Sequence, residues 1–202
     1  MTTQTNSLGS ASLMAAVWPA EGRQVWLRNI LLVLAGSALM AVSAQIQVPM
    51  WPVPVSMQTF ATLVLGMAYG GRLAAAAIGL YILEGAMGMP VFAGGQAFLT
   101  GGPTMGYIFG FLLGGAAVGF LADLGWGRKV ATAALALLIG NALIYLPGLA
   151  WLHLAWTHDL QATLTGGFYP FLIGDALKLA LAASLLPAAW SLVRKVKGEG
   201  RA

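Results

Sequence analysis

Arg128-Lys129-Val130-Ala131-Thr132-Ala133-Ala134-Leu135-Ala136-Leu137-Leu138-Ile139-Gly140-Asn141-Ala142-Leu143-Ile144-Tyr145-Leu146-Pro147-Gly148-Leu149-Ala150-Trp151-Leu152 decides how the rest of the chain is read. Two cations open it, and no charge follows as far as Leu152. A helix rises about 1.5 Å per residue, so about 20 apolar residues reach across the ~30 Å hydrocarbon core of a bilayer. This run is long enough. Five further apolar runs flank it, at about Asn29–Ala44, Val55–Gly70, Leu73–Met89, Met105–Leu124 and Pro170–Val193. The expectation is an all-α integral membrane protein with six transmembrane helices.

Composition points the same way. Of 202 residues, 59% are hydrophobic and 8% charged. A soluble domain carries roughly 25% charged residues, because its surface faces water. The net charge of +4 is not a nucleic-acid signature here, because the basic residues sit between apolar runs and after the last one. With no cysteine, neither a disulfide framework nor a cysteine metal site is possible.

The connections set the topology. With a cytoplasmic N-terminus, Arg23, Arg28, Arg72, Arg128, Lys129, Arg194, Lys195, Lys197 and Arg201 all fall inside. The outer connections contain no Lys or Arg, and the remaining base, Lys178, lies within a run. An even number of crossings with both termini cytoplasmic satisfies the positive-inside rule. Met1–Glu21 lacks the basic and apolar regions of a secretory signal. Residues 1–25 read as a soluble N-terminal segment, low in complexity over Thr2–Ser12. Residues 26–194 form the membrane domain, and 195–202 a basic cytoplasmic tail.

Two outer connections, Gln45–Pro54 and Pro90–Pro103, are apolar and rich in Pro or Gly rather than solvated. Irregular backbone at membrane depth must be buried in protein or line a cavity. Charge inside the membrane is costly and therefore informative. Asp175 and Lys178 are spaced i, i+3 on one helix face and can neutralise each other. They either fix helix packing or line a polar pocket in the outer half. Asn141 lies mid-run with Tyr145 at i+4; its amide either joins two helices or meets a ligand. Ser37 and Ala41 make a small-xxx-small spacing that lets another helix approach closely. Glu84 lies near an outer helix end. His153, His158 and Asp159 fall in an outer connection and read as solvated rather than metal-binding. P-loop, G-x-S-x-G and H-E-x-x-H motifs are missing, so no enzyme reading is favoured.

Three segments carry a resemblance to a known family. They are Ala44-Gln45-Ile46 with Pro52-Val53-Pro54-Val55-Ser56-Met57-Gln58-Thr59-Phe60; Gly88-Met89-Pro90-Val91-Phe92-Ala93-Gly94-Gly95 with Gly102-Pro103-Thr104 and Gly106-Tyr107; and Gly174-Asp175-Ala176-Leu177-Lys178. Together they resemble the BioY family, the biotin-specific S components of energy-coupling factor transporters, over about Asn29 to Arg194. The resemblance implies a multi-pass subunit of the bacterial cytoplasmic membrane that captures biotin from outside. It implies a transmembrane coupling subunit and ATPase subunits as partners, and no cofactor beyond biotin as ligand. A transporter for another small vitamin, an intramembrane enzyme and a structural scaffold stay open.

Biotin presents two ureido N–H groups, a ureido C=O and a carboxylate on an otherwise apolar frame. Asp175 is expected to accept from a ureido N–H. Asn141 would meet the ureido oxygen or a second N–H, and Lys178 would pair with the carboxylate or orient Asp175. Gln58, Thr59 and Tyr107 are further polar candidates. Gly94 and Gly95 would let the third outer connection close over the ligand.

Overall fold

The computed structural model describes residues 12–97 and 101–196. Residues 1–11, the 98–100 stretch of the third outer connection, and 197–202 of the basic tail lie outside the described residues. The chain runs α1 (Leu13–Val17), α2 (Arg23–Gln45), β1 (Gln47–Val48), β2 (Val55–Ser56), α3 (Gln58–Tyr69), α4 (Gly71–Ala86), α5 (Met105–Asp123), α6 (Val130–Leu152), α7 (Leu160–Gly167) and α8 (Leu172–Val196). All six expected runs are helical. Four stretches are long and apolar enough to cross a membrane: Arg23–Gln45, Met105–Asp123, Val130–Thr157 and Leu160–Val196.

The other two are shorter than expected. α3 has 12 residues and α4 has 16. Gly70 ends one and begins the other, with φ 81° and ψ 168°. Asp123, at the end of α5, accepts a hydrogen bond from the Gly71 N–H at 2.9 Å and so caps α4. A Cβ at Gly70 would fall 2.3 Å from Asp123 Oδ1.

Two of the connections also depart from an all-α reading. Pro49, Pro52 and Pro54 cannot continue a helix. The chain around them stays extended, and β1 pairs antiparallel with β2, Gln47 opposite Ser56 and Val48 opposite Val55. This ribbon delays the start of α3 to Gln58. The fifth connection is not a plain loop either. It carries a π-helical turn over His153–Thr157, then α7, whose N-cap Asp159 accepts from the Ala162 N–H at 2.7 Å.

α5 is the central helix, with 56% of its best span buried against 22% of that of α2. Its glycines make this possible. A Cβ at Gly110 would lie 2.4 Å from Ile144 O, one at Gly114 2.6 Å from Gly140 O, and one at Gly119 2.5 Å from Gly71 N. Backbone therefore meets backbone on two sides of α5, as small residues permit between membrane helices. The outside of the bundle is apolar: Leu34, Leu39, Leu138, Leu146 and Leu185 are exposed. That suits hydrocarbon as the surrounding solvent.

α1 falls within residues 1–25, expected as a soluble N-terminal segment, and its Leu13 and Ala16 are buried against Ala68 and Trp190. It packs on the ends of α3 and α8. Arg128 lies over the same Trp190, 4.9 Å from the ring centroid.

Candidate functional site

The β1–β2 ribbon and the first turn of α3 hang over a narrow pocket with a cavity volume of about 30 Å³. Ser56, Gln58 and Thr59 line it from the ribbon and α3, with Val53 and Pro54 beside them. Ala93 enters from the connection between α4 and α5. Thr104, Tyr107, Ile108 and Phe111 come from the start of α5, Tyr145 from α6 and Phe171 from the turn before α8. Tyr107 stacks on Phe171, with centroids 6.3 Å apart and planes at 20°. Tyr145 meets Phe171 edge-on at 6.3 Å and 79°. The wall is thus aromatic, with polar atoms at a few places.

Behind this wall lies Asp175, 4% exposed. Its Oδ1 accepts from Thr59 Oγ1 at 3.3 Å and from Lys178 Nζ at 3.2 Å. Its Oδ2 accepts from Tyr145 OH at 2.6 Å and from Asn141 Nδ2 at 3.4 Å. Two oxygens with about four lone-pair sites thus meet four donors. Lys178 is satisfied in the same way: its ammonium also donates to Ser56 O at 2.7 Å and Thr59 Oγ1 at 3.0 Å. A buried ion pair is tolerable only when such bonds complete it. The pair ties α8 to the ribbon and to the start of α3. Asn141 Oδ1 is buried with no hydrogen-bond partner among the described residues.

Asp175, Lys178, Asn141 and Thr59, chosen from sequence, therefore converge. Gln58, Thr59 and Tyr107 line the pocket, whereas Asp175, Lys178 and Asn141 stand behind it. The Tyr107 hydroxyl donates to Gly167 O at 2.7 Å, so the residue gives the pocket chiefly its ring. Gly94 and Gly95 take positive φ, 71° and 70°, in the turn after Phe92. A Cβ at Gly94 would meet Gln47, and it is Ala93 that reaches the pocket. Ser37 is buried and donates to the Glu84 carboxylate, so the helix it meets is α4 of the same chain. Ala41 packs on the core. His153 pairs with Thr163 at 3.2 Å.

Sequence reasoning missed Ser56, Phe171 and Tyr81, and noted Tyr145 only as a neighbour of Asn141. The i+4 spacing of Asn141 and Tyr145 was the available signal for the last. Tyr81 is wholly buried and 2.7 Å from the Gln58 amide. Nothing in its surroundings on α4 sets it apart from a core tyrosine.

A pocket with aromatic walls and buried polar supports, set in a multi-pass membrane protein, defines a membrane-embedded binder of small molecules. The BioY family model matches residues 10–195. "Biotin transporter BioY" of Thermotoga maritima is 37% identical over 153 residues, covering 73% of this chain and 86% of that protein. "Probable biotin transporter BioY" of Pyrococcus horikoshii is 37% identical over 158 residues, covering 77% and 91%. A 2.1 Å crystal structure of the S-component for biotin from an ECF-type ABC transporter superposes with a TM-score of 0.72 at 21% identity, over 90% of this chain and 96% of that one. That last likeness is one of fold. The chain belongs to the BioY family.

Proposed function

We propose that this chain captures biotin at the outer side of a bacterial cytoplasmic membrane. It does so as the substrate-binding S component of an ATP-driven energy-coupling factor transporter, partnered by a transmembrane coupling subunit and ATPase subunits. Family membership and the names of the relatives support biotin as the ligand. The observation that carries the site is Asp175 behind Thr59 and Tyr145. An ionised carboxylate only accepts, so the Thr59 and Tyr145 protons point at Asp175. What these two oxygens turn to the pocket is lone pairs. Two acceptors side by side suit the two N–H groups of a cyclic urea, and the aromatic wall suits its apolar frame.

In this reading Asp175 polarises the residues that touch biotin, and Lys178 holds Asp175 and the ribbon in place. Asn141 fixes the second carboxylate oxygen. The third outer connection, with its turn at Gly94 and Gly95, closes the pocket through Ala93. Six crossings with both termini in the cytoplasm belong to the same proposal. Arg23, Arg28, Arg72, Arg128, Lys129, Arg194 and Lys195 then lie at inner helix ends.

Equilibrium binding to the purified protein tests the reading. Biotin should bind tightly, and riboflavin and thiamin should not compete. Binding of either vitamin in preference to biotin would overturn it. The cysteine-free chain also suits topology mapping. A single cysteine at Lys129 should resist an impermeant thiol reagent in intact cells, and one at His158 should react. The reverse pattern refutes the orientation.

A further inference from the structure

Tyr81 has no exposed surface, and its ring lies edge-on to Phe92 at 5.2 Å. Its hydroxyl reaches one polar side chain among the described residues, the Gln58 amide, placed with Nε2 donating to it at 2.7 Å. The other end of that amide, placed as the oxygen, accepts from Ser56 Oγ at 3.2 Å. The oxygen and nitrogen of a side-chain amide share one outline, so their partners decide which is which.

One argument makes the atom facing Tyr81 the oxygen. A fully buried phenol must place its proton, and an NH2 group facing it leaves that proton with no acceptor among the described residues, whereas Ser56 lines the pocket and can turn its own proton there. The NH2 group then lies on the Ser56 side. Ser56 Oγ has two lone pairs. One already takes the Gln58 backbone N–H at 3.3 Å, and the other takes one amide hydrogen. The second amide hydrogen remains, at a residue that lines the pocket.

We infer that Tyr81, which touches no ligand, fixes the polarity of Gln58, so that the ligand meets an N–H donor there and must offer an acceptor. For a cyclic urea that acceptor is the ring C=O, which lies between the two N–H groups assigned to Thr59 and Tyr145. Tyr81 is thus a positioning residue for specificity. The inference rests on the biotin reading and deepens it.

The test compares biotin with its imino analogue at neutral pH, where a protonated, cationic C=NH2 group replaces the ring C=O and only donates. The wild-type protein should favour biotin by at least about tenfold, the scale of one hydrogen bond lost or opposed. Tyr81→Phe frees the amide to turn, so the preference should fall about tenfold while biotin still binds. Gln58→Glu keeps the acceptor for Tyr81 but puts an acceptor in the pocket as well, so the preference should fall further or reverse. A wild-type ratio near one, or a ratio unchanged in the folded variants, overturns the inference. Should Tyr81→Phe fail to fold, the wild-type ratio decides alone. Failure of the wild type to bind biotin at all is a separate result, and it overturns the function proposed above.

Discussion

The seam between α5 and α6 and the seam between α3 and α8 are built from opposite materials. In the first, Gly106, Gly110 and Gly114 bring the backbone of α5 onto Pro147, Ile144 and Gly140. No polar side chain is needed, and no methyl group can be added. In the second, the helices are joined by Asp175, Lys178, Thr59 and the carbonyl of Ser56. Contact by shape is insensitive to a ligand. Contact through hydrogen bonds has atoms to share with one. The difference teaches where stability and binding should part company: glycine changes should move the first, and polar changes the second.

The largest expected break is Asp175→Ala. It strips the acceptor from four donors and leaves Lys178 buried without its counter-charge, which costs about 3–5 kcal/mol when one member of a buried pair is removed. Biotin affinity should fall by more than about a hundredfold, read by titration calorimetry, and thermal unfolding should come earlier. An unchanged affinity would reduce the cluster to packing. Next comes Gly114→Ala, which places a methyl 2.6 Å from Gly140 O. Overpacking of that kind costs about 1–3 kcal/mol. We expect a lower unfolding temperature, with affinity of the folded protein unchanged within about threefold. A large affinity loss here would erase the contrast between the seams. Tyr145→Phe removes one bond to Asp175 and one acceptor from the pocket, and should weaken biotin about tenfold, or about 1.4 kcal/mol. The smallest effect on binding is that of Ser37→Ala, which deletes the bond to the Glu84 carboxylate between α2 and α4. It should cost about 1.5–3 kcal/mol in unfolding, as bonds to charged groups do, and leave binding untouched.

Much of this was readable in the chain. Charge scarcity and apolar runs located every long helix, because hydrocarbon demands them locally. The i, i+3 spacing of Asp175 and Lys178 foretold their ion pair, now 3.2 Å, because helix geometry brings such residues together. What escaped depends on contacts between distant segments. Whether Asp175 faces the ligand or a layer of hydroxyls depends on how α3 and α6 rotate, and no local pattern reports that. The 12-residue α3 escaped because Val55 and Ser56 are as apolar or neutral as a helix start, and only pairing with Gln47 and Val48 draws them into a ribbon. Tyr81 escaped because a tyrosine amid alanine and leucine on α4 reads as core until Gln58 is seen beside it.

The packing beneath the pocket has an electrical consequence. Met40, Leu63, Val118 and Ile144 are all but inaccessible there, and the glycines of α5 bring its backbone close against its neighbours. A resting membrane holds about 2.3 kcal/mol on each elementary charge per 100 mV, and a file of water through a subunit would dissipate it. On that packing we expect the body to insulate, with its receptacle on one side. Vesicles carrying many copies, loaded with ligand or not, should hold a proton gradient as long as protein-free ones.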